Sequence, residues 1–154
     1  MKILKLLCIT VLLAGCGEKN TPKETINQSI SDLTDTYNKV WETLDMDSVA
    51  WYHTDDFHYW DAGKMVAGNN KEFVAVLNEI LSTTSEWSMK VGPYSIQSTE
   101  DFAIVSFEVT ESTLKLNDGS DYDYGLGAFT YVWKKENGLW KVDHMHESHQ
   151  KTEE

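Results

Sequence analysis

The residues best suited to chemistry lie in the last strand-like stretch of this chain, residues 140–149. Side chains alternate there with a period of two, which is typical of a β-strand whose faces meet different surroundings. His144 and His146 share one face, and imidazoles at positions i and i+2 of a strand could bind one metal ion. A third ligand would have to come from elsewhere, because His149 falls on the opposite face. We therefore predict no metal site and no cofactor.

Which face of this strand points inward depends on the turn that precedes it. With a two-residue turn, Asn137-Gly138, Val132 of the preceding strand shares a face with Asp143. With a three-residue turn, 136–138, and a bulge at Gly138, Tyr131 takes that face instead. The residues alone leave both registers open.

The first sixteen residues have the composition of a bacterial secretion signal. Two lysines precede an apolar run, 6–14, that is too short to span a bilayer core of about 30 Å. The sequence LAGC, which ends at Cys16, resembles the lipobox of bacterial lipoproteins, in which this cysteine is lipidated and becomes the mature N-terminus. Cys8 leaves with the signal, so the mature chain can form no internal disulfide. We predict a lipoprotein signal peptide over 1–15, a lipidated tether over 16–23, one domain over 24–149 and a frayed tail over 150–154.

The charge balance excludes several classes of partner. The chain has 25 acidic residues and 13 basic ones, all of them lysine, for a net charge of −12; loss of Lys2 and Lys5 makes this 11 − 25 = −14. Nucleic acids need a basic footprint, so they are excluded. An acidic domain is also not attracted electrostatically to anionic lipid headgroups, so we expect the lipid on Cys16 to be the sole membrane anchor. We predict a lipid-anchored envelope protein facing the periplasm, with Gly17 favouring the outer membrane in a Gram-negative source.

Hydrophobic periodicity divides the domain into helices followed by strands. Apolar residues recur at three- and four-residue steps over 24–44 and 71–81, which predicts two amphipathic helices, with a short helix at 48–52. The predicted strands are 57–61, 87–91, 94–98, 102–116, 122–135 and 140–149, with a turn at 66–70. Helices followed by long strands indicate an α+β fold. We predict a cone-like, curved antiparallel β-sheet wrapped around the N-terminal helices, with an open mouth.

The ending Gly138-x-Trp140-Lys141-Val142-x-His144-x-His146-x-Ser148 resembles that of the SnoaL-like, nuclear transport factor 2-like superfamily. Within it, the chain is most similar to the association domain of calcium/calmodulin-dependent protein kinase II and its bacterial relatives. The resemblance covers residues 28–149. It implies a cone-shaped α+β fold, a homodimer through the outer face of the sheet, and a ligand or active-site pocket inside the cone. Enzymes and pure binding modules share this scaffold, so no single activity follows.

The resemblance also favours the bulged turn, and it implies which residues surround the pocket. They are Val105, Phe107, Val109, Tyr131, Met145 and Glu147, and we add Trp51 and Tyr59 to the predicted ligand-binding residues. The kinase-associated members have pocket arginines, but this chain has Val109, Tyr131 and Glu147 at the matching positions. Without a guanidinium, carboxylate ligands are not expected. An acidic, aromatic pocket favours a neutral or a cationic ligand.

Ketosteroid-isomerase-like members of the superfamily imply an enzymatic alternative. In them an aspartate acts as general base and a tyrosine on the first helix donates to the oxyanion, roles that fall to Asp61 and Tyr37 here. We favour the structural alternative, in which Tyr37 is core and Asp61 begins a turn, because nothing supplies a second acidic donor. We therefore predict that the domain binds a small, largely apolar ligand or a protein partner without catalysis. An isomerase or dehydratase that uses Asp61 and Tyr37 is the alternative.

Overall fold

The computed structural model of this protein describes residues 22–122 and 125–149. The predicted signal peptide (1–15), the lipidation site Cys16, nearly all of the tether and the tail (150–154) lie outside the described residues. Within the described ranges, no helix is both long enough and apolar enough to cross a membrane.

Three helices form in the described part of the chain, α1 (Lys23–Trp41), α2 (Met46–Ala50) and α3 (Asn70–Leu81). The Asp45 side chain caps α2 by accepting from backbone N–H groups, and the Asn69 side chain caps α3 in the same way. The first helix ends three residues before the predicted Leu44, because Leu44 adopts a left-handed φ of 56°.

The strands form one curved sheet over these helices. They are β1 (His53–Asp61), β2 (Lys64–Ala67), β3 (Thr84–Val91), β4 (Ser95–Ser98), β5 (Phe102–Leu116), β6 (Asp121–Tyr122), β7 (Gly127–Glu136) and β8 (Leu139–His149). The order is β2-β1-β8-β7-β5-β3, and β4 and β6 also pair with β5. Part of the turn predicted at 66–70 is therefore the end of β2. The α+β, cone-like layout is confirmed.

One pairing makes the sheet mixed rather than purely antiparallel. β1 runs parallel to β8, with Tyr59 opposite Met145 and Asp61 opposite Glu147. A hairpin turn fixes the direction of two strands only when they are neighbours in the sequence. β1 and β8 lie at opposite ends of the domain, so no turn residue indicates how they pair.

The long strand β5 gives the sheet its curvature. Residues Phe102–Glu108 pair with β7, whereas Val109–Leu116 pair with β3, and the β3–β5 register shifts between Lys90 and Val91. A strand that changes partner along its length bends the sheet away from its mean plane. The concave face that results covers the helices, whose buried side chains include Tyr37 and Trp41 of α1 and Phe73 of α3.

The bulge predicted at Gly138, in the β7–β8 turn, is not where the structure has it. Asn137 and Gly138 both have positive φ, 51° and 82°, and the strands pair directly on either side of this two-residue turn. Because both residues adopt the conformation that a type I′ turn needs, no bulge forms at Gly138. The irregularity lies instead at Asp143, between Val142 and His144. This displaced bulge places Tyr131 on the concave face, opposite Met145.

Candidate functional site

A cavity of about 630 Å³ lies between the helices and the concave face of the sheet. Its wall is mainly apolar and comes from α1, α3, β3 and the far end of β5. Among these wall residues are Trp41, Leu77, Leu81, Trp87, Met89 and Leu114. The cone is therefore hollow, although the chain is rich in bulky aromatic residues.

One end of this cavity is polar, and strand register explains why. Asp61 is the last residue of β1 and pairs with Glu147 of β8, which pairs on its other side with Phe129 of β7. Side chains two residues apart on a strand share a face. Tyr59 therefore joins Asp61, and His149 joins Glu147, so that two neighbouring strands, β1 and β8, bring four polar groups to one place. We call Tyr59, Asp61, Glu147 and His149 the polar cluster.

Glu147 is the centre of the polar cluster and is 1% exposed. The Tyr59 hydroxyl donates to its Oε2 at 2.7 Å, and His149 Nε2 lies 2.8 Å from its Oε1. Both oxygens thus have a partner, as a buried carboxylate requires. Burial raises the pKa of Tyr59, and the negative charge of Glu147 raises it further, so this tyrosine remains a neutral O–H donor.

Asp61 is less completely satisfied than Glu147. Its Oδ1 lies 3.6 Å from His149 Nε2, which is too long for a hydrogen bond. That oxygen is buried and accepts no hydrogen bond from the residues that the structure describes. The Asp61 side chain as a whole is 35% exposed and lines the cavity, so its carboxylate can be reached from there.

The polar cluster also contains the one group of potential metal ligands in the described ranges. Ligand atoms of Asp61, Glu147 and His149 all lie within 4.8 Å of one another. Two carboxylates and an imidazole are suitable donors for a divalent cation. His144 and His146, the pair considered from the sequence, are not part of this group; they lie on the outer face of the sheet, and His144 pairs there with His58 of β1.

The predicted pocket residues divide into two sets. Tyr59, Tyr131, Met145 and Glu147 line the cavity, as does Asp61. Val105, Phe107 and Val109 are buried but lie outside the cavity wall, and Trp51 is 58% exposed.

The positions of Phe107 and Trp51 follow from what packs against them. Phe107 stacks on Phe129 at 5.5 Å and meets the ring of Tyr94, whose hydroxyl donates to Asp35 of α1. Core side chains therefore fill the space against the inner face of the first half of β5, and the cavity does not extend there. Trp51 lies at the surface with the Lys141 ammonium 4.0 Å above its ring, a cation–π contact.

Tyr37 does not reach the cavity, so the structure does not bring Asp61 and Tyr37 together. Tyr37 is fully buried, and its hydroxyl donates to His53 Nε2 at 2.7 Å. His53 Nδ1–H in turn donates to Asn70 Oδ1, and the Asn70 amide donates to the Ala50 carbonyl. This chain of hydrogen bonds joins α1, α2, β1 and α3, and it occupies the hydroxyl that the isomerase-type alternative assigned to an oxyanion.

Sequence reasoning missed His149 and the wall formed by Trp41, Leu81 and Trp87. The signal for His149 was present, because it lies two residues after Glu147 and so must share its face. The wall residues were recognisable as apolar positions of α1, α3 and β3. Their exposure to a cavity, rather than to a neighbour, depends on the bend in β5, which sequence alone does not determine.

Gly127 holds the end of β8 close to β7. It pairs with His149, and a Cβ atom at Gly127 would lie 2.5 Å from the Ser148 carbonyl oxygen. Real Cβ atoms essentially never come so close to a backbone oxygen. The absence of a side chain at this position therefore helps to place His149 beside Glu147.

A curved sheet closed over N-terminal helices, with a cavity inside the cone, is the architecture of nuclear transport factor 2-like proteins. More specifically, the chain belongs to the SnoaL-like domain family, whose sequence profile matches residues 30–151. The resemblance inferred from the final strand is thereby confirmed. No curated protein matches the chain significantly.

Solved structures with this fold are distant in sequence. A nuclear transport factor 2-like superfamily protein from Salmonella enterica serovar Typhimurium LT2 has a TM-score of 0.71 and 18% identity, over 84% of this chain and 94% of that one. A candidate dehydratase of the same fold family from Streptomyces avermitilis has a TM-score of 0.71 and 16% identity, over 86% and 100%. A candidate calcium/calmodulin-dependent protein kinase II association domain from Xanthomonas campestris has a TM-score of 0.66 and 16% identity, over 79% and 86%. Identities this low show the fold alone.

Proposed function

We propose that this SnoaL-like domain binds a small, largely apolar molecule in its cavity and does not transform it. The observation that carries the proposal is a cavity of about 630 Å³, open to solvent on one side, with a mainly apolar wall and one polar end. Small-molecule sites are of this size, and a few convergent polar groups orient the ligand in them.

The contacts within the polar cluster support binding without catalysis. Both oxygens of Glu147 already have partners, Tyr59 and His149. The isomerase-type reaction needs a second acidic donor for an oxyanion, and Tyr37 is committed to His53 instead. The cluster can thus recognise a polar group on a ligand more readily than it can stabilise a developing charge.

Filling the cavity tests this proposal. Leu81 lines the wall and is 7% exposed, so Leu81→Trp should occupy part of the space. Leu139→Trp makes the same chemical change at a position that is 53% exposed and serves as the control. We expect native mass spectrometry of the full chain in lipid nanodiscs to show a retained small molecule in the wild type and in Leu139→Trp, but not in Leu81→Trp. Circular dichroism would check that all three proteins are folded.

Two results would contradict the proposal. One is a wild-type protein that is purified empty and binds no member of a panel of small apolar compounds. The other is a folded Leu81→Trp variant that retains the same molecule in the same amount as Leu139→Trp.

Acid–base catalysis is the second candidate, and the polar cluster is the observation that favours it. Asp61, Glu147 and His149 converge at one end of an apolar cavity, which is where a proton could be moved. The candidate dehydratase among the fold neighbours is consistent with this reaction class. Incubation of the full chain with β-hydroxyketones, followed through the absorbance of the enone product, would test it. Turnover that is lost in His149→Gln would favour this candidate over binding alone.

We also propose that the domain is held at the cell envelope, facing the periplasm, by lipid on Cys16. The LAGC sequence supports this, and Gly17 favours the outer membrane in a Gram-negative cell. Cys16→Ser should remove incorporation of a labelled fatty acid and leave an uncleaved precursor. Equal labelling of both proteins would contradict the lipid anchor.

Finally, we propose that the domain forms a homodimer through the outer face of the sheet. Two neighbouring cross-strand rows on that face support it, because they contain no lysine and no acidic residue. The rows are Ile104–Val132–His144–His58 and Ser106–Thr130–His146–Trp60. In a chain with a net charge of −12, an uncharged face is where two copies can meet with least repulsion.

A further inference from the structure

We infer that the molecule bound in the cavity carries an organic cation, such as a protonated amine, which is held at Asp61 beside Glu147. This inference rests on the proposed function and specifies the ligand class. Charge, an unmet hydrogen-bond acceptor and the aromatic composition of the wall each support it.

The charge of the cavity is negative. Its polar end has two carboxylates, Asp61 and Glu147, and one imidazole, His149. Even a protonated His149 leaves one formal negative charge in excess. No lysine is among the described residues that line the cavity. An anionic ligand would therefore be repelled, and a cation would be attracted in surroundings that screen charges weakly.

Asp61 supplies the unmet acceptor. Its Oδ1 is buried and accepts no hydrogen bond within the described part of the chain. Buried polar atoms of native proteins are nearly always paired, so an atom of this kind requires an explanation. An ammonium group donates up to three hydrogen bonds and accepts none, which matches a carboxylate whose side chain lines the cavity and is 35% exposed.

The cavity wall also presents aromatic rings near these carboxylates. Phe129 is the direct strand neighbour of Glu147, and Tyr59 and Tyr131 lie on the strands that flank it. Trp41 and Trp87, whose rings are 6.0 Å apart, line the same cavity. Aromatic faces attract ammonium groups, and they also bury the apolar body of a ligand. A hydrated metal ion would gain little from such a wall, so the organic cation fits the whole cavity better.

Three compounds of nearly equal shape provide the test: 3-phenylpropylammonium, 3-phenyl-1-propanol and 3-phenylpropanoate. Binding to the full chain in lipid nanodiscs would be measured by calorimetry. The ammonium compound should bind about tenfold or more tightly than the alcohol, as a charge-assisted hydrogen bond predicts, and the carboxylate should not bind.

Asp61→Asn should remove the preference for the ammonium compound over the alcohol, because the amide keeps the shape of the carboxylate and loses its charge; residual binding of both compounds would show that the cavity is intact. Asp56→Asn removes the same charge from an exposed position of the same strand and should leave all three affinities unchanged.

The outcomes separate this inference from the proposed function. Equal affinity for the ammonium compound and the alcohol would overturn the cationic ligand and leave an apolar binding site standing. Binding of none of the three compounds, by a protein that also retains no small molecule, would overturn both. Zn²⁺ or Mn²⁺ that binds alone, requires Asp61 and excludes the ammonium compound would assign the site to a metal ion and overturn the inference.

Discussion

Glu147 is a carboxylate in the interior of the protein, and the Tyr59 hydroxyl is one of the two groups that satisfy it. Tyr59→Phe removes this donor, so Oε2 of Glu147 loses the hydrogen bond from the Tyr59 hydroxyl. We expect the free energy of unfolding to fall by about 1–3 kcal/mol, the usual effect of leaving a buried polar group unsatisfied. Tyr122→Phe makes the same change at a tyrosine that is 56% exposed and should alter stability by less than about 0.5 kcal/mol. Urea unfolding of both variants would measure the difference, and equal losses would show that the hydrogen bond contributes nothing.

A second residue-scale prediction concerns His53. Burial lowers its pKa from 6.5 to about 3, while the hydrogen bond to Asn70 raises it by less. The unfolded chain therefore binds this proton near pH 6.5 and the folded chain does not. Stability from His53 is present above pH 6.5 and is lost as the pH falls toward 3, by up to about 1.4 kcal/mol per pH unit.

The measurement for His53 is the free energy of unfolding between pH 7 and pH 4. His53→Gln stays neutral over this range, so its stability should fall less steeply than that of the wild type, although it starts lower at pH 7. If the slopes of His53→Gln and the wild type coincide, His53 is not the group that titrates.

At the scale of secondary structure, the position of the end of β8 depends on its close approach to β7. Gly127→Ala would place a methyl group 2.5 Å from the Ser148 carbonyl oxygen, so the strand end must move. We expect His149 to leave its position beside Glu147, which NMR of the imidazole would detect as a changed chemical shift. Gly92→Ala is the matched control, because its added methyl group would lie 3.6 Å from the nearest atom, an ordinary contact. An unchanged His149 signal in Gly127→Ala would show that the strand end is not held in this way.

The same elements show how far the sequence predicts the fold and the site. Strand β5 forms over 102–116 as its alternating apolar residues predict, and Tyr59, Met145 and Glu147 face inward because period-two alternation is a local property. Three features depend instead on contacts between distant segments. These are the parallel pairing of β1 with β8, the bulge at Asp143 and the change of partner within β5. The first of them brings Asp61 to Glu147, so the polar cluster could not be assembled from local pattern alone.

At the scale of the whole molecule, two neighbouring rows on the outer face of the sheet carry no formal charge, although the chain is strongly acidic. The outer rows of the sheet contain apolar residues, exemplified by Ile104, which is 46% exposed, together with His58, His144 and His146. Burial lowers the pKa of His144, and the positive charges of His146 and His58 lower it further, while Asp143 opposes this. The neutral form of His144 is therefore favoured, and the face can be covered by a second copy.

Sedimentation of the full chain in nanodiscs or detergent, corrected for the bound lipid, would test the proposed homodimer. Ile104→Glu introduces a charge into the centre of the outer rows and should produce monomers at pH 7.5. Leu139→Glu introduces the same charge at an exposed position beside the β7–β8 turn and should leave the dimer intact. The wild-type dimer should weaken as the pH falls, because His144, whose pKa burial already lowers, would have to be buried with a positive charge once it is protonated. A dimer that survives both Ile104→Glu and acid would have to use another surface, since neither an added carboxylate nor a protonated His144 could be buried there without a large loss of affinity.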